Sequence, residues 1–177
     1  RIGMNQVDDE EVLAACPLLL HDAPKLSFEV IVSHNDVMVP RLREGELDLI
    51  VNVVPATPYE GTTQELLFED ELVVCASARH GLARRRRLTI SDLSEQRWAL
   101  TTSDSLSRRF LHQAFVESGL PEPRIALEAR SVRVRLHSWA RSGLLGITSK
   151  RFLRHISPSF GLVELPVRGL SWPRPVG

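Results

Sequence analysis

The feature that most constrains the fold is EVIVSHNDVMVPRLREGELDLIVN, residues 29–52, in which two apolar runs flank a polar corner and a short amphipathic stretch. The first run, Val30 to Val32, is β-branched throughout. The second, Leu49 to Val54, is continuously apolar, as in a strand that is covered on both faces. This order predicts a βαβ unit.

Ser33, His34 and Asn35 lie at the corner between the first predicted strand and the predicted helix. In open α/β sheets ligands lie beyond the carboxyl ends of the strands, so this corner is a candidate ligand contact. Pro40 is poorly tolerated inside a helix but suits its first position, so the helix is expected to begin near Val39.

Composition describes an ordinary globular protein. The 177 residues are 43% hydrophobic and 25% charged, which is enough for one domain or two small lobes. Lys and Arg total 22, as do Asp and Glu, so these residues lack the basic excess that neutralises phosphates, and direct nucleic-acid binding by them is disfavoured. No apolar run is long enough to suggest a membrane span.

The remaining pattern predicts further alternation of strands and helices, including short strands at Leu66 to Phe68 and at Leu72 to Ala76. We therefore expect an α/β fold of two lobes joined by two crossing strands, with a cleft between them. The first lobe is assigned to residues 1–74 and 162–177 and the second to 75–161. We expect the chain to be a fragment that lacks the C-terminal part of the first lobe.

Small polar side chains occupy four strand-to-helix corners, and all four would converge on the cleft if both lobes direct their strand ends there. The alternative for each corner is that Ser, Thr and Asn simply cap helices. The corner residues are Asn5 and Gln6; Ser33, His34 and Asn35; Thr101, Thr102, Ser103 and Ser105; and Thr148 and Ser149.

Signatures of catalysis and of metal binding are missing. The sequence has no GxSxG, no HExxH, no glycine-rich phosphate loop and no Cys/His cluster, so no enzyme, cofactor or metal is expected. Cys16 and Cys75 lie in separate apolar runs without CxxC spacing and are expected to be buried thiols, the alternative being a disulfide or metal pair. The protein is expected to be cytoplasmic. The arginine run Arg84–Arg87 lies between turn signals and is expected to be a solvated loop.

Several segments in the same order resemble the effector-binding domain of LysR-type transcriptional regulators. They are RIG, LREGELDLIV, LFEDELVVCASARHGLARRRRLTISDL, RWAL, RRFLHQAFVESGL, EARSV and ARSGLLGITS. The resemblance covers nearly the whole chain. Three residues depart from the family pattern: Gly81 stands for a usual Pro, Ser33 for a frequent Gly, and Pro40 interrupts a usually regular helix.

The resemblance implies two Rossmann-like lobes of the periplasmic-binding-protein type 2 fold, with a small-molecule effector between them. It also implies a homodimer or higher homo-oligomer, and DNA binding through a winged helix-turn-helix N-terminal to this domain. Carried onto this sequence, the effector site consists of Asn5, Gln6, Ser33, His34, Asn35, Thr101, Thr102, Ser103, Ser105 and Thr148.

Helix N-termini and uncharged donors at these corners favour an anionic ligand, which we expect to be a small organic carboxylate. The expected function is effector sensing for a bacterial-type transcription factor. The alternatives are a free-standing solute-binding protein of the same fold and, more remotely, an enzyme that uses the cleft.

Overall fold

The computed structural model describes residues 1–7, 9–102, 105–170 and 172–177. The chain forms two compact units, residues 1–69 with 174–177 and residues 70–173. The division expected from sequence placed residues 70–74 and 162–173 in the first lobe, whereas these residues pack within the second unit. They pack there because residues 162–164 form a strand that pairs with residues 75–77 of the second unit.

The first unit contains a parallel sheet of three strands in the order β2-β1-β3. The strands are β1 (Ile2–Met4), β2 (Val30–Val32) and β3 (Leu49–Val51), and they alternate with helices α1 (Asp9–Asp22) and α2 (Asn35–Arg43). The predicted βαβ unit is confirmed as β2-α2-β3.

The expected start of helix α2 near Val39 was wrong, because α2 begins at Asn35 and continues through Pro40. Two bonds close the first turn, since the N–H groups of Val37 and Met38 both donate to the His34 carbonyl at 3.0 Å. Met38 is completely buried, so its packing helps to hold this early start despite the proline.

The second unit is built on strands β4 (Phe68–Ser77), β5 (Arg97–Leu100), β6 (Arg124–Glu128), β7 (Gly146–Ser149) and β8 (Leu162–Glu164). Its helices are α3 (Leu106–Glu117), α4 (Val132–Arg141) and α5 (Lys150–Phe160), with short 3₁₀ turns at Gly81–Arg84 and Ile90–Leu93. The last strand, β9 (Trp172–Val176), pairs with β4 and, like β4, runs from one unit into the other.

Strand β4 pairs antiparallel with β7 on one side and with β8 on the other. In place of the two short strands expected at residues 66–68 and 72–76, the structure has one strand of ten residues, which includes Phe68 but not Leu66 or Leu67. Within this strand, Asp70 and Glu71 are bonded to residues at the start of α5. Asp70 accepts a bond from Ser149 Oγ at 2.5 Å, and Glu71 accepts one from Lys150 Nζ at 2.9 Å.

Each unit has its own apolar core. In the first unit, Met4, Val12, Val51 and Val176 pack together. In the second, a larger cluster includes Trp98 and Phe115, whose rings meet edge to face with centroids 6.4 Å apart.

Charge is divided unequally between the two units. Residues 1–69 and 174–177 contain 5 Lys/Arg and 13 Asp/Glu, a net charge of −8, whereas residues 70–173 contain 17 and 9, a net charge of +8. The expected solvated arginine run lies in the second unit, where all four residues of Arg84–Arg87 are exposed.

Candidate functional site

The carboxyl edge of the first unit's sheet carries a row of polar residues. Met4 pairs with both Val32 and Val51 in the parallel register, so the next residue on each strand is at the same level. Those residues are Asn5, Ser33 and Asn52. The structure thus brings two of the predicted site residues together and adds Asn52.

Asn52 was missed in the sequence because it was read as part of the apolar run from Leu49 to Val54. It is only 4% exposed, its amide nitrogen donates to the side-chain oxygen of Asn35, and its own side-chain oxygen accepts from the N–H of Val53 at 2.7 Å. The signal that could have identified it is a polar residue directly after a predicted buried strand.

The other predicted residues of this unit lie close by in the chain. Asn5 accepts a weak bond from the N–H of Val7 at 3.4 Å, and Gln6 lies in the turn that follows. His34 is at the N-cap position of α2 with extended backbone angles, but its side chain makes no capping bond. The capping alternative therefore does not account for the His34 side chain.

Three parallel strands of the second unit also end at one edge. Leu100 of β5 pairs with Glu128 of β6, and Trp98 of β5 forms a parallel bridge with Leu145, the residue before β7. Three residues on from Trp98, strand β5 is followed by Thr101. Three residues on from Leu145, strand β7 contains Thr148.

Thr101 and Thr148 share an unusual property. Their hydroxyl oxygens are inaccessible to solvent and have no hydrogen-bond partner within the described part of the chain. Thr148 as a whole is only 4% exposed. A buried hydroxyl without a partner costs about 1–3 kcal/mol, so these two hydroxyls at one sheet edge are candidates for contact with another group.

Ser105 and Ser149 follow the capping alternative. The Ser105 hydroxyl accepts from the N–H of Arg108 at 3.4 Å at the start of α3. The Ser149 hydroxyl accepts from the N–H of Phe152 at 3.1 Å at the start of α5. Their hydroxyls are used by the fold, so they are weaker candidates than the two threonines.

Thr102 is partly buried, and its carbonyl accepts from the N–H of Ser105 at 3.1 Å. Ser103 lies outside the residues that the structure describes. The predicted residues thus form one group at the strand ends of the first unit and another at the strand ends of the second.

A separate depression of about 290 Å³ lies within the second unit. It is lined by residues 71–74 and 164–168 with Leu170 and Trp172, and it contains none of the predicted site residues.

The described residues contain no group of three or more His, Cys, Asp or Glu side chains arranged to hold a metal ion. Both cysteines are free thiols; Cys75 is completely buried and Cys16 partly so. Among the described helices, none has both the length and the apolar character needed to cross a membrane.

Each of the two α/β units has parallel strands with polar carboxyl ends, an arrangement that fits the periplasmic-binding-protein type 2 class. The model of the LysR substrate binding domain matches residues 1–177. The chain therefore belongs to this family, whose members serve as effector-binding regulatory domains.

The curated relatives include the HTH-type transcriptional regulator GbpR of Azospirillum brasilense. It is 27% identical over 161 residues, which is 89% of this chain and 46% of GbpR. The chain spans less than half the length of the curated relatives that it matches.

Two of the solved structures that the chain resembles contain ligands. The CcmR regulatory domain of Synechocystis PCC6803, in complex with 2-PG, has a TM-score of 0.86 at 18% identity, with 99% of this chain and 84% of that chain covered. The effector-binding domain of QuiR, in complex with shikimate, has a TM-score of 0.72 at 17% identity, with 99% and 83% covered. At these identities the likeness shows the shared fold.

Proposed function

We propose that this domain senses a small organic carboxylate for a cytoplasmic transcription factor of the LysR type, which would bind DNA through a helix-turn-helix outside residues 1–177. The observation that carries the proposal is that the hydroxyls of Thr101 and Thr148, buried at the carboxyl edge of parallel strands, have no hydrogen-bond partner among the described residues. A bound ligand would supply the partners that these hydroxyls lack.

The chemistry of the predicted site supports an anionic ligand. Hydroxyl and amide side chains donate hydrogen bonds without adding negative charge, and helices α2 and α3 begin at the Asn35 and Ser105 corners, where their N-terminal N–H groups favour anions. His34 would add a donor when it is protonated. The similar CcmR and QuiR domains are in complex with the small molecules 2-PG and shikimate, respectively.

Regulation would proceed by a population shift. An effector that binds one arrangement of the protein more tightly than another stabilises that arrangement, whereas a ligand with equal affinity for both changes nothing. This mechanism requires no catalysis, in keeping with relatives that are transcriptional regulators. Those relatives also favour the regulator over the free-standing solute-binding protein.

A screen of small organic acids by thermal shift tests the ligand class, because a ligand that binds only the folded state raises the melting temperature. The best acid is then titrated calorimetrically into the wild type, Thr102→Val and the control Thr63→Val, which changes an exposed threonine away from the predicted site. Loss of one donor should weaken binding by about 1–3 kcal/mol in Thr102→Val only.

Unchanged affinity in Thr102→Val would remove Thr102 from the site. A screen in which only cations or neutral apolar compounds raise the melting temperature would refute the carboxylate proposal.

A homodimer formed through the first unit is also part of the proposal. Large apolar side chains remain exposed on α1 and on the edge strand β2, including Leu18 at 66%, Val30 at 40% and Val32 at 46%. Exposed apolar side chains and a strand edge without a partner among the described strands are typical of an interaction surface.

Sedimentation of the wild type, Leu18→Gln and Val116→Gln tests the dimer. Val116 is a matched control, since it is 60% exposed on a helix of the second unit. We expect Leu18→Gln to weaken dimerisation at least tenfold and Val116→Gln to leave it unchanged. A wild type that stays monomeric at high concentration would contradict the proposal.

A further inference from the structure

Arg135 of helix α4 is a buried cation without an acidic partner in the described part of the chain. It is only 8% exposed. Its Nη1 donates to the carbonyls of Ala129 at 2.7 Å and Arg130 at 2.9 Å, and its guanidinium carbon lies 6.0 Å from the centre of the Trp139 ring. These contacts bind the guanidinium group but do not neutralise its charge.

Burial lowers the pKa of Arg135 to about 10, so the side chain is still charged at neutral pH. Keeping a charge in the interior without a counter-charge is costly. Charged groups whose pKa is perturbed in this way are concentrated at functional sites.

The covering helix α4 places Arg135 over the sheet face that carries the two unpartnered hydroxyls. A Cβ atom on Gly146 would overlap the indole of Trp139, so Trp139 lies on the side-chain face of Gly146. Side chains two residues apart in a strand share a face, so Thr148 is on that face too. The Trp98–Leu145 bridge sets the register that places Thr101 on the same face of β5.

Arg135 also lies near the level of these hydroxyls along the strands. Helix α4 begins beside the carboxyl end of β6, so Arg135 is one helical turn closer to that edge than Trp139. One turn is about 5.4 Å, and the two strand residues from Gly146 to Thr148 span about 6.6 Å. By these lengths, the Arg135 guanidinium and the two hydroxyls, which have no partner among the described residues, lie at a similar level along the strands on the α4 side of the sheet.

We propose that Arg135 is the charged contact for the effector's carboxylate, with Thr101 and Thr148 donating hydrogen bonds to the same group. This inference rests on the proposed function and deepens it by assigning the counter-charge. A carboxylate suits the three residues because it accepts several hydrogen bonds and carries the single negative charge that a buried guanidinium lacks.

A purely structural role for Arg135 has a different signature. If Arg135 only ties the carbonyls of residues 129 and 130 to α4, its replacement will disturb charged and neutral ligands alike. If Arg135 pairs with a carboxylate, its replacement will weaken the acid and leave the neutral amide of the same shape unaffected.

The test is an NMR titration of the chain with acetate, the smallest suitable carboxylate, and with acetamide as its neutral isostere, at constant ionic strength. In the wild type we expect saturable shifts of the Thr101 and Thr148 amide resonances with acetate and much weaker but measurable shifts with acetamide. Arg135→Met should weaken the acetate response at least about tenfold, since a hydrogen bond to a charged group is lost.

Two further variants complete the design. Arg133→Met removes the same charge from an exposed position on α4 and should leave the acetate response unchanged. Arg135→Lys keeps the charge and should retain a measurable response even if Arg135→Met fails to fold.

An equal response to acetate and acetamide in the wild type, or an unchanged acetate response in Arg135→Met, would overturn the inference. Absence of any acetate response would overturn it as well. Failure of the proposed function is recognised separately, because the thermal-shift screen would then find no stabilising organic acid at all.

Discussion

Replacing Thr148 with Val should stabilise the free protein and weaken ligand binding. Valine keeps the β-branched shape and suits strand β7, but it removes a buried hydroxyl that has no partner among the described residues. A residue that is kept for ligand binding is expected to have such opposite effects on stability and affinity.

The magnitude follows from two contributions. An unpartnered buried hydroxyl costs about 1–3 kcal/mol, and the added methyl group gains about 0.8 kcal/mol of apolar burial. Allowing for imperfect packing at the site, we expect a net gain of about 1–2 kcal/mol in the free energy of unfolding of the second unit. With a slope typical of a domain of this size, the urea midpoint would rise by about 0.5–1 M.

The assay is urea denaturation followed by tryptophan fluorescence, because Trp98 and Trp139 are both in the core of the second unit. Thr89→Val is the matched control. The Thr89 hydroxyl donates to Asp92 at 2.9 Å, so the same replacement there should cost about 0.5–1.5 kcal/mol.

A loss of stability in Thr148→Val would refute the reasoning, because it would show that the hydroxyl has a partner in the free protein. A gain in stability with unchanged affinity for the acid found in the ligand screen would remove Thr148 from the effector site.

Gly146→Ala should destabilise the second unit by about 2–4 kcal/mol in urea denaturation, because the new methyl group would overlap the buried Trp139 ring; a change below about 0.5 kcal/mol would contradict that packing. Hydrogen bonds from Thr89 and an ion pair with Arg85 lower the pKa of Asp92 below its usual 3.8, so its contribution is present above about pH 4 and is lost on acidification through the lower folded pKa. Asp92→Asn should therefore flatten the acid limb of the stability profile, and an identical profile would contradict this. Asn52→Leu should lower the free energy of unfolding by about 1–3 kcal/mol, because the side-chain oxygen of Asn35 loses its donor. An unchanged thermal melt would show that this bond contributes nothing.

The positions of the polar strand ends were the feature of the candidate site that the sequence predicted best. Thr101 and Thr148 follow apolar runs, and the polar residue after a buried strand is visible in the sequence. Which corner hydroxyls are occupied by capping was not visible, since Thr101 and Ser105 belong to the same polar run and only the structure shows that Ser105 accepts from a helix N–H.

Arg135 and Asn52 were missed for different reasons. Arg135 is four residues before Trp139 on the apolar stripe of α4, so its position could have suggested burial, but charge alone suggests an exposed side chain. Asn52 was interpreted as part of the apolar strand from Leu49 to Val54 rather than as a polar residue at its end. The lobe boundaries were displaced because they depend on how β4 and β8 pair, which is a long-range property.

The opposite charges of the two units have a consequence for handling the protein. The calculated isoelectric point is near 7.2, so at that pH the whole chain has almost no net charge to keep it in solution. Each molecule nevertheless carries one unit with a net charge of −8 and another with a net charge of +8. Opposite units of different molecules attract each other over distances that salt shortens to about 10 Å at 0.1 M. Its solubility near neutral pH should therefore be lowest in dilute buffer and should increase when salt is added.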